Sequence, residues 1–176
     1  MFRWLTAFFA ALLLALPLPA AARVVLSFHS FNGSWLVGRF PHTFVALDGA
    51  LDNGGAKIHQ NFGYTAKKIS PSILKGNVEA EIYVEKDYYL TATNTHFSVV
   101  LNDAQYRAVI AEVGKWRDEP GKAYNLDRHN CIHFVAAIAE LVGIKAPVPQ
   151  SMVRRPKEWL NYITGLNPQL GAKVLK

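Results

Sequence analysis

The chain holds one cysteine and six histidines in 176 residues, and the position of that cysteine sets the chemistry to ask about. Cys131 follows Asn130 and opens an apolar run to Val142 that reads as a helix. Asn130 is a good N-cap, because its side-chain oxygen can accept from the free amides of the first turn, and Gly143 suits the left-handed residue that ends a helix. Cys131 therefore takes the first helical position, beside unpaired N–H groups and the positive end of the helix dipole. Both favour thiolate over thiol, so the position predicts a depressed pKa and a reactive sulfur. The plainer alternative is a buried structural cysteine, since free cysteine is among the most buried residue types.

A thiol nucleophile needs a base, almost always histidine, and the base needs an orienter on its other ring nitrogen. His42 begins a strand directly after Arg39-Phe40-Pro41, at a strand edge where a loop opens to solvent. His59 lies on the following strand. A hairpin turning near Ala50-Leu51 sets these two histidines opposite each other, with His59, or Asn61 on the same face, as orienter. If Asn53-Gly54 is the tight turn instead, the register moves and His42 faces Thr65; both readings fit. His29 and His96 are read as structural or surface residues. His129, Cys131 and His133, spaced by two, offer a competing zinc site. With Asn130 as cap these three side chains diverge, and C-x-x-C spacing is absent, so no metal and no cofactor is expected.

The elements that must position these groups follow from periodicity and punctuation. Val24 to Phe28 is a short strand broken by Asn32-Gly33-Ser34. His42 to Leu47 and Ala56 to Tyr64 form an antiparallel hairpin, and Tyr64 to Gly76 is a polar, basic loop. Val78 to Tyr88 alternates as an outer strand whose acids, Glu79, Glu81 and Glu85, read as solvated. Thr95 to Leu101 is a strand that hands over to a helix capped by Asn102, with Gln105 three residues on. Its stripe of Tyr106, Val109, Ile110, Val113 and Trp116 is core packing, and Pro120-Gly121 ends it. The Cys131 helix is apolar nearly all round, which predicts a central helix buried on several sides. A last short helix starts at Pro156, with Trp159, Leu160 and Ile163 as its apolar side.

The first 22 residues read as a secretory signal peptide: Arg3, an apolar run from Leu5 to Leu16, and Ala20-Ala21-Ala22 as an A-x-A cleavage site. Pro17 and Pro19 break the run below the length a membrane anchor needs, so no stable membrane insertion is expected after cleavage. The remaining chain is expected to be one domain over 23–165, with a sparsely anchored tail over 166–176 and no internal repeat. A net charge of +6, which loses Arg3 with the leader, suits an envelope setting. It is too diffuse for nucleic-acid binding, since no segment joins a basic stripe to regular aromatics. An exported, periplasmic or secreted, protein with one cysteine has no internal disulfide, and its thiol must be used or sealed.

One ordered set of residues resembles a known family. A histidine on a first strand (His42), a polar residue on the next (His59), Tyr124-Asn125-Leu126, then Asn130-Cys131 opening an apolar helix with Phe134 three residues on, is similar to the circularly permuted NlpC-type papain-like cysteine hydrolases. That group includes relatives of lecithin:retinol acyltransferase. The likeness covers about 39–143. It implies an α+β, permuted papain-like fold, with an antiparallel sheet packed against the buried Cys-bearing helix. It further implies Cys131 as nucleophile, His42 as base, His59 as the third polar residue and Tyr124 as a group lining substrate or oxyanion. The longer spacing from His42 to His59, and the histidines beside Cys131, depart from the acyltransferase pattern. The expected activity is that of a monomeric thiol hydrolase on amide bonds, with peptidoglycan stem peptides as substrate. The alternatives are lipid acyl hydrolysis or transfer on the same fold, and a non-catalytic envelope-binding domain.

Overall fold

Residues 23–33, 40–52, 55, 57–121 and 123–176 are described by a computed structural model. The leader expected over 1–22, and the turn residues Asn53 and Gly54, lie outside them. Strand-forming runs separated by glycine and proline produce β1 (Val24–Phe31), β2 (His42–Ala50), β3 (Lys57–Ala66), β4 (Val78–Tyr83), β5 (Asn94–Leu101) and the two-residue β6 (Ala123–Tyr124). All pairs are antiparallel, and the sheet order is β5-β1-β2-β3-β4-β6. The helices are α1 (Asp87–Leu90), α2 (Asp103–Asp118), α3 (Cys131–Leu141) and α4 (Pro156–Leu166). The fold is thus α+β with one six-stranded antiparallel sheet. Among the described residues no helix is long and apolar enough to cross a membrane.

Side chains alternate across a strand, so the sheet has two faces with different coverings. Val24, Leu26 and Phe28 of β1, Val45 and Leu47 of β2 and Tyr64 of β3 join the core with α3, Val109 and Val113 of α2, and Trp159, Leu160 and Ile163 of α4. As its composition requires, α3 is buried nearly all round: Ile132, Phe134, Val135, Ile138 and Ala139 have no exposure. Each large side chain so buried contributes roughly 1.5–3 kcal/mol, which ties the Cys131 helix to the sheet. Both asparagine caps form reciprocal boxes, Asn102 with Gln105 and Asn130 with His133.

The opposite face is crossed by the segment 84–93, which carries the chain from the β4 side of the sheet to β5. Three side chains hold it: Asn61 through Glu85, His59 through Asp87 and His29 through Thr93. The strand predicted over Val78 to Tyr88 stops at Tyr83 for this reason. Asn61 Oδ1 accepts the Glu85 N–H at 2.6 Å and its Nδ2 donates to the Glu85 carbonyl at 3.0 Å, so a side chain replaces the strand ladder there. Glu85, expected in solvent, is 6% exposed.

The tail is also better anchored than its sequence suggests. Asn167 is buried and bonds both the N–H and the carbonyl of Lys145, while Asn161 bonds the N–H and carbonyl of Leu175.

Candidate active site

Cys131 is 4% exposed and stands at the first position of α3. The helix start is fixed by Asn130, whose Oδ1 accepts from the N–H groups of Ile132 and His133 at 2.9 and 3.3 Å. Its Nδ2 donates to the carbonyls of Leu126 and Val153 at 2.6 and 2.7 Å. One buried side chain therefore joins the helix, the loop before it and the segment leading to α4.

The sulfur lies against the start of β2. The Tyr124 hydroxyl donates to it at 3.9 Å, and the backbone amides of Thr43, Ile132 and Cys131 itself are close enough to lower its pKa. The Thr43 contact falls where the sheet changes partners. The β2–β3 ladder ends at Val45 and Phe62, and β3 pairs with β4 from Gly63 onward. A Thr43 amide at that seam is available to the sulfur.

Burial pushes the Cys131 thiol above its ordinary pKa, while Thr43 N–H, the Tyr124 hydroxyl and the first helical amides pull the other way without overcoming it. The helix position alone predicted the reverse shift. It is overturned because the same packing that brings donors to the sulfur also removes water from it. In this state the sulfur is a neutral thiol at neutral pH. Burial likewise raises the Tyr124 phenol, with the nearby Cys131 adding to it.

His42 is the residue before the sulfur-contacting Thr43. Its half-buried ring lies over β3: a β-carbon built on Gly63 would stand 2.6 Å from His42 Nε2. A lone glycine inside a strand pattern is the sequence signal for such a close approach. Glu85, buried two residues beyond the Tyr83 partner of Gly63, shares this side of the sheet.

The two orienter candidates sit elsewhere. The register pairs Asp48 with His59 and Ala50 with Lys57; carried on, it sets His42 level with Thr65, the second of the two registers open to the sequence. His59 is exposed and bridges Asp48 at 2.6 Å and Asp87 at 3.2 Å, which raises its pKa, through the Asp48 bond first. Six residues separate Asp48 from His42, about 20 Å of strand, so His59 is not brought to His42. Asn61 spends its amide on Glu85.

The remaining histidines are held by other partners. His129 stacks on Trp116 at 4.3 Å and donates through Nδ1 to the Ala123 carbonyl at 3.0 Å. His133 caps α3, and burial, followed by the nearby His129, lowers its pKa. Neither ring bonds the sulfur, and among the described residues no group of three or more His, Cys, Asp or Glu could hold a metal ion. His29 stacks on Phe44 at 5.1 Å, and His96 Nε2 meets Ser30 Oγ at 2.8 Å.

Comparison with protein-family models, with curated proteins and with solved structures finds no match to this chain.

Proposed function

We propose that this chain is an exported thiol hydrolase of the circularly permuted NlpC-type papain-like group, cutting amide bonds in peptidoglycan stem peptides. The observation that carries the reading is the Tyr124 hydroxyl donated to Cys131 Sγ at the first position of α3, with the amide of Thr43, the residue after His42, near the same sulfur. A structural cysteine needs no such donors, whereas a nucleophile and the oxyanion it creates use all of them.

Because the resting sulfur is neutral, the mechanism runs by general base catalysis rather than from a preformed ion pair. The step requires the His42 ring to turn round the open start of β2 from the Gly63 face toward the sulfur; Sγ then attacks the carbonyl carbon as His42 takes its proton, and the carbonyl oxygen becomes an oxyanion facing backbone amides at the helix start. Collapse breaks the C–N bond, and His42 returns the proton to the departing amine. Water then attacks the thioester with His42 again as base, breaking the C–S bond and releasing the acid.

The test is turnover of purified murein peptides by the wild-type protein, Cys131→Ala and His42→Ala, with circular dichroism to verify folding. Loss of all turnover in Cys131→Ala and a fall of about 10²–10⁴-fold in His42→Ala are expected for nucleophile and base. Equal turnover by folded Cys131→Ala protein would sink the reading. Cleavage of lipid esters but not of murein would reassign the substrate.

A further inference from the structure

One groove is lined by chain neighbours of His42 and by the segment that the Asn130 side chain holds. A cavity of about 350 Å³ has Phe31 and Pro41 on one wall and Arg154, Arg155 and Lys157 on the other, with Glu158 beside them. Phe31 is the cross-strand partner of His42, and Pro41 precedes it in the chain. On the opposite wall, Arg154 follows Val153, whose carbonyl accepts from Asn130 at 2.7 Å, and Asn130 is the cap next to Cys131. The walls are therefore chain neighbours of His42 on one side and of the Cys131 helix start on the other.

The cations of the groove are not equally available. Arg154 makes a two-pronged pair with Asp127, both bonds 2.8 Å. Lys157 donates one bond to the Lys176 carbonyl at 2.7 Å, which leaves two of its three ammonium protons. Arg155 is exposed and makes no ion pair among the described residues. Helix α4 starts at Pro156 without a side-chain cap, so its first amides add partial positive charge. Against these stands one exposed carboxylate, Glu158. Arg155 presents the planar fork that matches a carboxylate. A fatty acyl chain would need continuous apolar lining, which three basic residues deny it; a peptide bearing an acid group is the better fit.

We propose that this groove is the subsite for a carboxylate of the peptide substrate, held by Arg155 and Lys157 while the amide to be cut lies toward Cys131. The claim rests on the thiol-hydrolase reading for its catalytic meaning, and binding tests it without turnover.

In full-length Cys131→Ala protein, an N-acetylated tripeptide acid and its C-terminal amide are titrated by calorimetry, beside glycerol 3-phosphate. The acid is expected to bind at least tenfold more tightly than the amide, and Arg155→Gln with Lys157→Gln is expected to erase that difference. Equal affinity of acid and amide, or a preference surviving both substitutions, overturns the proposal. Tighter binding of glycerol 3-phosphate than of the acid also overturns it, in favour of a phosphate headgroup. An acid preference in binding, with no Cys131-dependent cleavage of the same peptide, upholds the groove and sinks the hydrolase reading alone.

Discussion

The imidazole of His42 rests on the bare backbone of Gly63, so closely that a single methyl there would stand 2.6 Å from Nε2. The next obstacle to that methyl is Phe44 Cβ at 3.3 Å. A side chain at residue 63 would therefore displace the ring before it disturbs the strands.

Gly63→Ala is thus predicted to separate function from stability. A shift of about 1 Å in a catalytic group can cost about 10²-fold, so turnover of murein peptide should fall by that order. The unfolding midpoint should move little. His59→Ala is the matched control: it removes the Asp48 and Asp87 bonds far along β2 and should change turnover less than about twofold, the effect expected of an exposed residue away from the reacting atoms. Unchanged kinetics in Gly63→Ala, or a collapse in His59→Ala, would refute this arrangement.

Tyr124→Phe removes one hydroxyl donor from Sγ and leaves the ring packed. The thiol pKa, already raised by burial, should rise further, and thiolate alkylation by iodoacetamide at fixed neutral pH should slow by roughly three- to tenfold, the equivalent of one modest hydrogen bond. The rate against pH measures this directly, and a profile identical to wild type would show that the hydroxyl does not act on the sulfur.

Asn130→Ala should be among the costliest single changes. It removes the cap of α3 and leaves the buried Val153 carbonyl and the part-buried Leu126 carbonyl without their donor. A lost cap and unsatisfied buried groups together are expected to cost about 2–4 kcal/mol. Urea unfolding measures it; a loss below about 0.5 kcal/mol would contradict the central role of this side chain.

Acid should destabilise the fold through two buried histidines. Burial lowers His29 and His96 from 6.5 to about 4. Their folded pKa values lie below the unfolded value, so the unfolded chain takes up protons that the folded one refuses. Stability is full above about pH 6.5 and is lost as the pH falls toward 4, by an amount on the order of 2–3 kcal/mol per ring. Thermal midpoints between pH 7.5 and 4.5 should fall accordingly, with a shallower slope in the His29→Gln, His96→Gln double variant. A slope unaffected by that double change would show that other groups govern acid unfolding.

Local chemistry was legible in the sequence, and tertiary consequences were not. Asn102 and Asn130 announced their caps because a cap is decided within four residues. The start of α3 at Cys131 followed from the same signal. The hairpin register did not, since Ala50-Leu51 and Asn53-Gly54 each allowed a turn. Both keep Val45 and Leu47 on the core face, so alternation could not choose between them; the observed pairing of Asp48 with His59 is the one that a turn at Asn53-Gly54 predicts. The sign of the Cys131 shift is not legible locally because the burial that raises it comes from tertiary packing, which outweighs the Thr43 and Tyr124 donors. Glu85 was misjudged because alternation was carried past Tyr83, where Asn61 takes over the pairing.

The sheet order also governs when the site can come into being. β1 pairs on one side with the nearby β2 and on the other with β5, so that Val24 has both Gly49 and Leu101 as neighbours. The meander from β1 to β4 can form from contacts close in sequence. The sheet closes only when the distant β5 arrives and α3 docks behind it, and such long-range pairing makes folding slow. A half-folded chain thus carries an ordinary thiol, because Thr43, Tyr124 and Cys131 meet only when α3 is docked on β2 and β3.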